Sequence, residues 1–395
     1  MDELERVKVE SCDDSCAAVV AGPASPPSSS GIVPSSSYEV LSQAIAHQDH
    51  SSTGGIHPYN ATLSHAANLP GTIARALSDA GIGPDGREID AIAVTQGPGM
   101  ASSLGVGLTA AKTLAAAWNK DIIYVHHMAA HALTPLLTES EPPQFPFLTL
   151  LVSGGHTMLV LAHSPTKYRL LASTSDDSIG DAFDKVARAL QIPWGGKTGI
   201  TNPGAALEKF ASEDDAETSN DTIPPFPVPA AGSMTFSYSG VKSSVLRYIE
   251  TCLSDPTSTA PSHRRAVARA FQSAAVRQIE DRVALAFGLR QRRKGDEGVP
   301  IGTEGLQIRD LVCSGGVASN SYLRTRLAHL LLHPSESSHE GAAGTQATSR
   351  RLHFPPLALC TDNAVMIAFA AHLTWDRRTR AFDRHARPRW SLEDL

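Results

Sequence analysis

Short apolar segments alternate along the chain with turns of small or acidic residues, and most of these turns lead into helical patterns. Strand, turn and helix in repeated order are typical of α/β domains. The segments at residues 7–10 and 17–20 flank an acidic turn and predict a β-hairpin. The other predicted elements are a helix over residues 63–80, strands over 91–95 and 122–125, an alanine-rich helix ending near Trp118, and buried strands over 147–152 and 311–313.

Four segments break this pattern and predict loops or insertions. Residues 21–37 are rich in Ser and Pro, and residues 211–226, 291–307 and 333–350 also have compositions that contribute little to a core. The chain has 395 residues, of which 42% are hydrophobic, and is therefore long enough for two domains of ordinary size.

Composition narrows the class of protein. The longest apolar runs, such as residues 147–152, fall far short of the roughly 20 residues that a membrane-spanning helix needs. The formal net charge of −6 excludes a uniformly basic nucleic-acid-binding surface but leaves room for a local basic patch. Five scattered cysteines suit a reducing compartment better than a disulfide scaffold, and no targeting sequence is visible at the N-terminus.

The most informative chemical pattern is His-His-Met-Ala-Ala-His at residues 126–131. His127 and His131 are four residues apart on a predicted helix and point the same way, and Asp362 from a remote loop could complete a three-ligand metal site. The spacing resembles the zinc-peptidase pattern His-Glu-x-x-His, but Met128 stands where that pattern needs a glutamate base. An isolated His-x-x-x-His pair also fits packed or surface histidines, so the spacing alone leaves both interpretations open.

Two buried strands end in the same tripeptide, Ser-Gly-Gly, at residues 153–155 and 314–316. Glycine at such a turn lets the backbone approach a ligand closely, and exposed N–H groups there attract phosphate. One such turn fits a tight strand exit equally well. Two of them, together with the acidic turn residues Asp13 and Asp14, favour a ligand site.

The order of the motifs resembles one family, the tRNA threonylcarbamoyladenosine transferases, once described as O-sialoglycoprotein endopeptidases. The resemblance covers the chain almost end to end. The matching segments are residues 10–15, 96–107, 126–131, 151–157, 182–185, 236–242, 315–320, 360–366 and 387–390. Ser-Gly-Gly-His-Thr and Phe-Ser-Tyr-Ser-Gly-Val-Lys look like the bacterial and mitochondrial branch of the family.

The resemblance implies an α/β fold of the actin-like and sugar-kinase superfamily, with two similar lobes and a nucleotide and metal cleft between them. We expect one lobe over residues 1–140 and the second over 141–395, with the C-terminal helix packing back on the first lobe. The implied reaction transfers a threonylcarbamoyl group from threonylcarbamoyl-AMP to N6 of the adenosine beside the anticodon, in tRNAs that read codons beginning with A. The resemblance further implies one divalent metal ion per subunit, iron or zinc, and a mitochondrial homodimer that binds tRNA, receives its adenylate from a separate synthase and contacts no membrane.

Carried over residue by residue, the resemblance places the metal on His127, His131 and Asp362 and leaves His126 outside the ligand set. The implied substrate-binding residues are Val152, Ser153, Gly154, Gly155, His156, Asp184, Gly204 and Asn320. Because a mixed anhydride already carries a good leaving group, positioning and charge stabilisation are the main requirements, and no protein nucleophile is expected. Asp13 or Asp14 is the candidate to assist the attacking amine, although turn acids are more commonly only solvated.

The chain departs from the family pattern at three places. Ala129 stands where the histidine motif usually has a glutamate, which affects no expected ligand. A threonine is missing between Glu10 and Ser11, which predicts a shifted strand or a misplaced start of the reading frame. The usual Pro-Gly-Gly-Pro turn appears as Pro-Gly-Ala-Ala at residues 203–206, so the resemblance does not extend to adenylate contacts at that turn.

Two other classes of protein remain alternatives to the transferase. A kinase or ATPase of the same superfamily fold gives no reason for the histidine and aspartate set, and a non-catalytic scaffold would tolerate its loss. The most basic stretch of the chain contains Arg377, Arg378, Arg380, Arg384, Arg387 and Arg389, interleaved with Trp375, Phe382 and Trp390. This stretch fits either a phosphate-binding patch or a solvated helix face with a packed tail.

Overall fold

The computed structural model describes residues 3–10, 14–23, 37–48, 57–195, 198–200, 202–213, 223–253, 259–290, 301–332 and 350–395. The chain divides into two compact units. Unit 1 comprises Met1–Pro146, Ala162–Arg169 and His353–Leu395, and unit 2 comprises Phe147–Leu161 and Leu170–Leu352.

Strands and helices alternate over most of the described chain. The strands are β1 (Glu3–Glu10), β2 (Ser15–Pro23), β3 (Glu39–Ala46), β4 (Ile89–Gly97), β5 (Asp121–His126), β6 (Phe147–Val152), β7 (Thr157–Ser164), β8 (Lys167–Thr174), β9 (Thr235–Phe236), β10 (Asp310–Ser314) and β11 (Arg351–His353). The helices are α1 (Pro58–Asp79), α2 (Ala101–Ala117), α3 (His127–Thr138), α4 (Ile179–Ala189), α5 (Pro203–Ser212), α6 (Ser239–Cys252), α7 (Pro261–Ala286), α8 (Ser321–Leu332), α9 (Leu357–Cys360) and α10 (Ala364–Leu373).

Two sheets repeat one strand order. In the first sheet the order is β3-β2-β1-β4-β5, with β1 antiparallel to β2 and parallel to β4. In the second sheet the order is β9-β8-β7-β6-β10-β11. When the strands are counted from β1 in the first sheet and from β6 in the second, leaving out the added edge strand β9, both orders read third, second, first, fourth, fifth. This repetition confirms the expected α/β class with two similarly built lobes.

The first sheet is covered by helices on both faces. Ile92 and Val94 of β4 belong to the core cluster beneath α1 and α2, whereas Ala91 and Ala93 pack with α3 and α10 on the other face. Successive side chains of a strand point to opposite faces, so β4 is buried on both sides. This packing holds α3 and α10 on the same face of the sheet.

Several element boundaries differ from the sequence predictions. Helix α1 begins at Pro58, before the predicted residue 63, because proline at the first helical position needs no hydrogen-bond partner for its nitrogen. The predicted loop at residues 21–37 begins too early, since β2 continues to Pro23 in register with β1. Strand β3 was not predicted because its side chains are mostly half-exposed. The segments 24–36, 214–222, 291–300 and 333–349, which fall within or make up most of the predicted insertions, lie outside the described residues.

Across the described residues, no helix combines the length and apolar character that crossing a membrane requires.

Candidate functional site

The histidine motif lies at the carboxyl end of strand β5. His126 is the N-cap of α3, and its Nδ1 accepts a hydrogen bond from the Ala129 amide at 3.3 Å. Because Nδ1 is an acceptor, the proton lies on Nε2, which donates to the Trp390 carbonyl at 3.1 Å. Both nitrogens of His126 are therefore engaged in holding the start of the helix.

The next two histidines of the motif face a single carboxylate. His127 and His131 are buried one helical turn apart, with ring centroids 4.8 Å apart in an edge-to-face arrangement. Their Nε2 atoms lie 3.3 and 3.1 Å from Oδ1 of Asp362. One possible ligand atom from each of the three residues lies within 4.8 Å of the others, so they form a cluster able to hold a metal ion inside unit 1.

The loop that carries Asp362 is fixed by the residue that follows it. The Asn363 side-chain oxygen accepts a hydrogen bond from the Met366 amide at 2.9 Å and caps α10, while its nitrogen donates to the Thr361 carbonyl at 2.8 Å. The thiol of Cys16 lies 3.9 Å from the Asp362 carbonyl. Sequence reasoning did not single out Asn363, although an asparagine directly before an apolar helical run is a recognisable N-cap signal.

The chemistry of this cluster fits a divalent metal. Oδ2 of Asp362 is buried and has no hydrogen-bond partner among the described residues. This burial is costly for a carboxylate oxygen unless a bound ion replaces the missing partner. Burial would raise the pKa of Asp362, but the charges and hydrogen bonds of His127 and His131 outweigh it and hold that pKa well below its ordinary value. Two imidazole nitrogens and one ionised carboxylate are a donor set suited to zinc or to ferrous iron.

The two Ser-Gly-Gly turns lie side by side in unit 2. Strands β6 and β10 are parallel neighbours, with Leu311 paired to Leu148, so both turns leave the same edge of the sheet. Gly315 has a φ of 101°, and a side chain there would collide with the Val152 carbonyl. Glycine is therefore required for the second turn to pack against the first.

The first turn is open on one side. A Cβ added at Gly154 or Gly155 would meet nothing within 4 Å, whereas the Val152 side chain is fully buried. The amides of Gly155 and His156 donate to Oγ of Ser153 at 3.3 and 3.1 Å. A ligand could thus approach the turn backbone closely, and Val152 could contribute only main-chain atoms.

Helix α4 is attached to this turn through Ser178. Its hydroxyl donates to the Gly154 carbonyl and also caps the helix by accepting from the Asp181 amide at 3.2 Å. One turn further, Asp184 accepts a hydrogen bond from the Gly204 amide at 2.8 Å, which joins α4 to the start of α5. Burial raises the pKa of Asp184 and outweighs the opposing effects of this hydrogen bond and of Arg188.

Asn320 follows the second turn and contacts Gln272, a residue that lines a pocket. Its side-chain oxygen accepts from the Leu323 amide at 2.8 Å, and its nitrogen donates to Gln272 at 3.4 Å. Gln272 lines a pocket of about 830 Å³ together with residues of α5, α7 and α8, including Ala205, Glu208, Arg269, Ser321 and Tyr322. Gln272 carries no recognisable sequence signal because it contacts the site only after the helices pack.

Of the two candidate acids in the hairpin, Asp13 lies outside the described residues. Asp14 is paired: Oδ2 lies 2.8 Å from His47 Nδ1, and Oδ1 accepts from the Gln48 amide at 2.9 Å. Its assistance to the attacking amine therefore stays a prediction.

A sequence profile of the tRNA N6-adenosine threonylcarbamoyltransferases matches residues 39–369 of this chain, which is most of its length. The chain belongs to the tRNA N6-adenosine threonylcarbamoyltransferase family. A relative of that name from Erythrobacter litoralis is 38% identical over 97% of this chain and 94% of its own length. A family member from Schizosaccharomyces pombe, named as mitochondrial, is 35% identical over 98% of this chain and 85% of its own.

Among solved structures, component A of the (R)-2-hydroxyglutaryl-CoA dehydratase of Acidaminococcus fermentans aligns over 95% of this chain and 97% of that one. The identity is 11% and the TM-score 0.47. Membership of the threonylcarbamoyltransferase family rests on sequence, and it makes the chain a transferase that acts in tRNA processing.

Proposed function

We propose that this enzyme transfers the threonylcarbamoyl group of threonylcarbamoyl-AMP to N6 of the adenosine adjacent to the anticodon, in tRNAs that read codons beginning with A. The observation that carries the proposal is the buried cluster of His127, His131 and Asp362 in a chain of this family. Neither a phosphoryl-transfer site nor a scaffold accounts for an ionised carboxylate oxygen held beside two histidines.

The three residues would hold one divalent metal ion per subunit, zinc or iron. Because only three ligands would come from the protein, the ion would have positions open for the substrate and could supply the Lewis acidity that polarises a carbonyl. Helix α3 and the Asn363 cap would position the ligands, because each is hydrogen-bonded to main-chain groups of unit 1. Such preorganisation is the protein's main contribution when the leaving group is good.

The turns of unit 2 would hold the adenylate. The backbone from Val152 to His156 offers an open, glycine-lined surface for the phosphate, and Asp184 and Asn320 would orient the sugar and the base side. The Gly204 amide is supported by Asp184, which keeps the start of α5 close to this group. The protein would therefore bind and orient the adenylate, and the N6 amine of the tRNA adenosine would be the nucleophile.

The enzyme would work as a homodimer in mitochondria, supplied with threonylcarbamoyl-AMP by a separate synthase. The relative from Schizosaccharomyces pombe that is named mitochondrial supports this location, and bacterial relatives of similar identity leave a bacterial cytoplasm as the alternative. Fractionation of cells that express the tagged full-length chain distinguishes the two, and sedimentation of the purified protein measures the oligomer.

The decisive experiment incubates threonylcarbamoyl-AMP and a tRNA that reads A-starting codons with the wild type or with a His127→Ala, His131→Ala double variant. His329→Ala, on the exposed face of α8, is the matched histidine control. Mass spectrometry of the nucleosides should show modification by the wild type and the control only. A folded, metal-loaded wild type that leaves tRNA unmodified would refute the function, and full activity of the double variant would refute the metal site.

A further inference from the structure

The chain after α10 is held along the edge of the first sheet. Thr379 and Ile122 exchange two backbone hydrogen bonds of 2.8 and 2.9 Å, so this segment covers the edge strand β5. The Tyr124 hydroxyl then donates to the Ala381 carbonyl at 2.7 Å. We call residues 375–390 the C-terminal tail; their backbone is fixed although only a short turn at Trp375–Arg377 is helical.

The second half of the C-terminal tail crosses the carboxyl ends of β4 and β5. The Gln96 side chain donates to the His385 carbonyl at 2.9 Å, and the Arg387 amide donates to the Gln96 carbonyl at 2.8 Å. Trp390 accepts the hydrogen bond of His126, the residue directly before the first candidate metal ligand. The tail therefore ends beside the helix that carries the metal cluster.

The six arginines of the C-terminal tail differ in their contacts. Arg378 and Arg380 contact Asp121 at 3.5 and 2.8 Å and serve to attach the tail. Arg387 is half-buried, with its guanidinium carbon 4.2 Å from the centre of the Trp390 ring. The remaining three are exposed and, among the described residues, form no ion pair with a carboxylate; they are Arg377, Arg384 and Arg389. The tail holds six arginines against two aspartates in a protein of net charge −6, so positive charge is concentrated here.

Exposed guanidinium groups on a fixed backbone repel one another and favour a polyanion, and planar guanidinium suits phosphate oxygens. Phe382 lies between Arg377 and Arg384 in the sequence and is 37% exposed, which offers a face for an unstacked base. A lipid surface would instead favour an amphipathic helix with a broad apolar face, and the tail is extended after its first turn.

We propose that the C-terminal tail is a docking surface for tRNA, with Arg377, Arg384 and Arg389 binding backbone phosphates and Phe382 stacking on a base. The inference rests on the proposed function, because tRNA is the polyanion which that reaction requires. The C-terminal tail would hold the phosphates of the tRNA beside α3.

The test measures tRNA binding by the full-length protein over a range of salt concentrations, without threonylcarbamoyl-AMP. One variant carries Arg377→Gln, Arg384→Gln and Arg389→Gln. A control matched in charge carries Arg75→Gln, Arg247→Gln and Arg277→Gln, three exposed arginines on α1, α6 and α7. A third protein replaces the three tail arginines with lysine, and circular dichroism and metal content verify that each protein is folded.

We expect the tail variant to bind tRNA roughly tenfold or more weakly, with the slope of log K against log salt reduced by about 2 to 3, as the loss of three phosphate contacts predicts. The control should bind like the wild type, and the lysine variant should recover most of the affinity. Unchanged tRNA binding by a folded tail variant, or an equal loss in the control, would overturn the inference. If the wild type binds tRNA through the tail but does not modify it, the proposed function fails while this inference stands.

Discussion

The cluster of His127, His131 and Asp362 allows a quantitative prediction for Asp362→Asn. Both histidines face the same Asp362 oxygen, and the second oxygen is buried without a partner among the described residues. Asparagine keeps the shape of the side chain but supplies no charge. We therefore expect the folded variant to lose metal affinity rather than structure.

The magnitude follows from the number of ligands. The binding free energy of a zinc site with four ligands is about 10–16 kcal/mol, or roughly 3 kcal/mol per ligand. Removal of one ligand should therefore raise the Kd for the metal about 100-fold. At a metal concentration near 1,000 times the wild-type Kd, binding stabilises the wild type by about 4 kcal/mol and the variant by only about 1.4 kcal/mol. For a unit of this size, the metal-induced rise in Tm should then be smaller by roughly 5–10 °C.

The assay is thermal unfolding of chelator-treated protein, repeated with added Zn²⁺ or Fe²⁺ for wild type, Asp362→Asn and His126→Ala. His126 caps α3 without facing Asp362, so its replacement should lower the Tm by a similar amount with and without metal, as loss of a cap of about 1 kcal/mol predicts. A metal-induced shift in Asp362→Asn equal to that of the wild type would refute the three-ligand reasoning.

Three further predictions concern unit 2. Gly315→Ala should destabilise the protein by more than about 2 kcal/mol in urea unfolding, because φ is 101° and the new Cβ meets the Val152 carbonyl, whereas Gly316→Ala, which meets nothing within 4 Å, should change little. Asn320→Ala should cost roughly 1–3 kcal/mol and weaken adenylate binding in calorimetry, since it removes the cap of α8 and a partner of a buried amide. Burial would raise the pKa of Asp176, but hydrogen bonds from the start of α6 outweigh this effect and lower the pKa. The stability gained in this way is present above the ordinary aspartate pKa of about 3.9 and is lost as the pH falls through the lowered pKa. Unfolding free energy measured from pH 6 downwards should therefore depend less on pH in Asp176→Asn than in the wild type.

Locally encoded features were predictable from the sequence. Strand β6 has the predicted bounds because its six residues are all buried and five of them are apolar. Both buried strands that end in Ser-Gly-Gly were also predicted, whereas their pairing as parallel neighbours, which brings the two turns to one edge, is a finding of the structure. The meeting of His131 with Asp362, 231 residues away in the chain, was predicted by joining a helical spacing to a family resemblance.

Distant contacts that no sequence motif marks were not predictable. Nothing in the tail shows that Arg380 reaches Asp121, 259 residues earlier, or that Tyr124 holds the Ala381 carbonyl. The alternatives left by the sequence were a phosphate patch or a helix face, and the segment is neither a helix nor free of the sheet. Strand β3 was missed for a related reason, because its pairing with β2 stabilises a segment with little burial of its own.

The discontinuity of unit 1 has a consequence for synthesis. The chain leaves this unit at Pro146 and returns to it for good only at His353, so the histidines emerge from the ribosome long before Asp362 does. Unit 2 can fold in the interval, because domains generally fold as units in the order in which they are made. The nascent protein would therefore expose two of the three candidate ligands, His127 and His131, until the segment after His353 has been made.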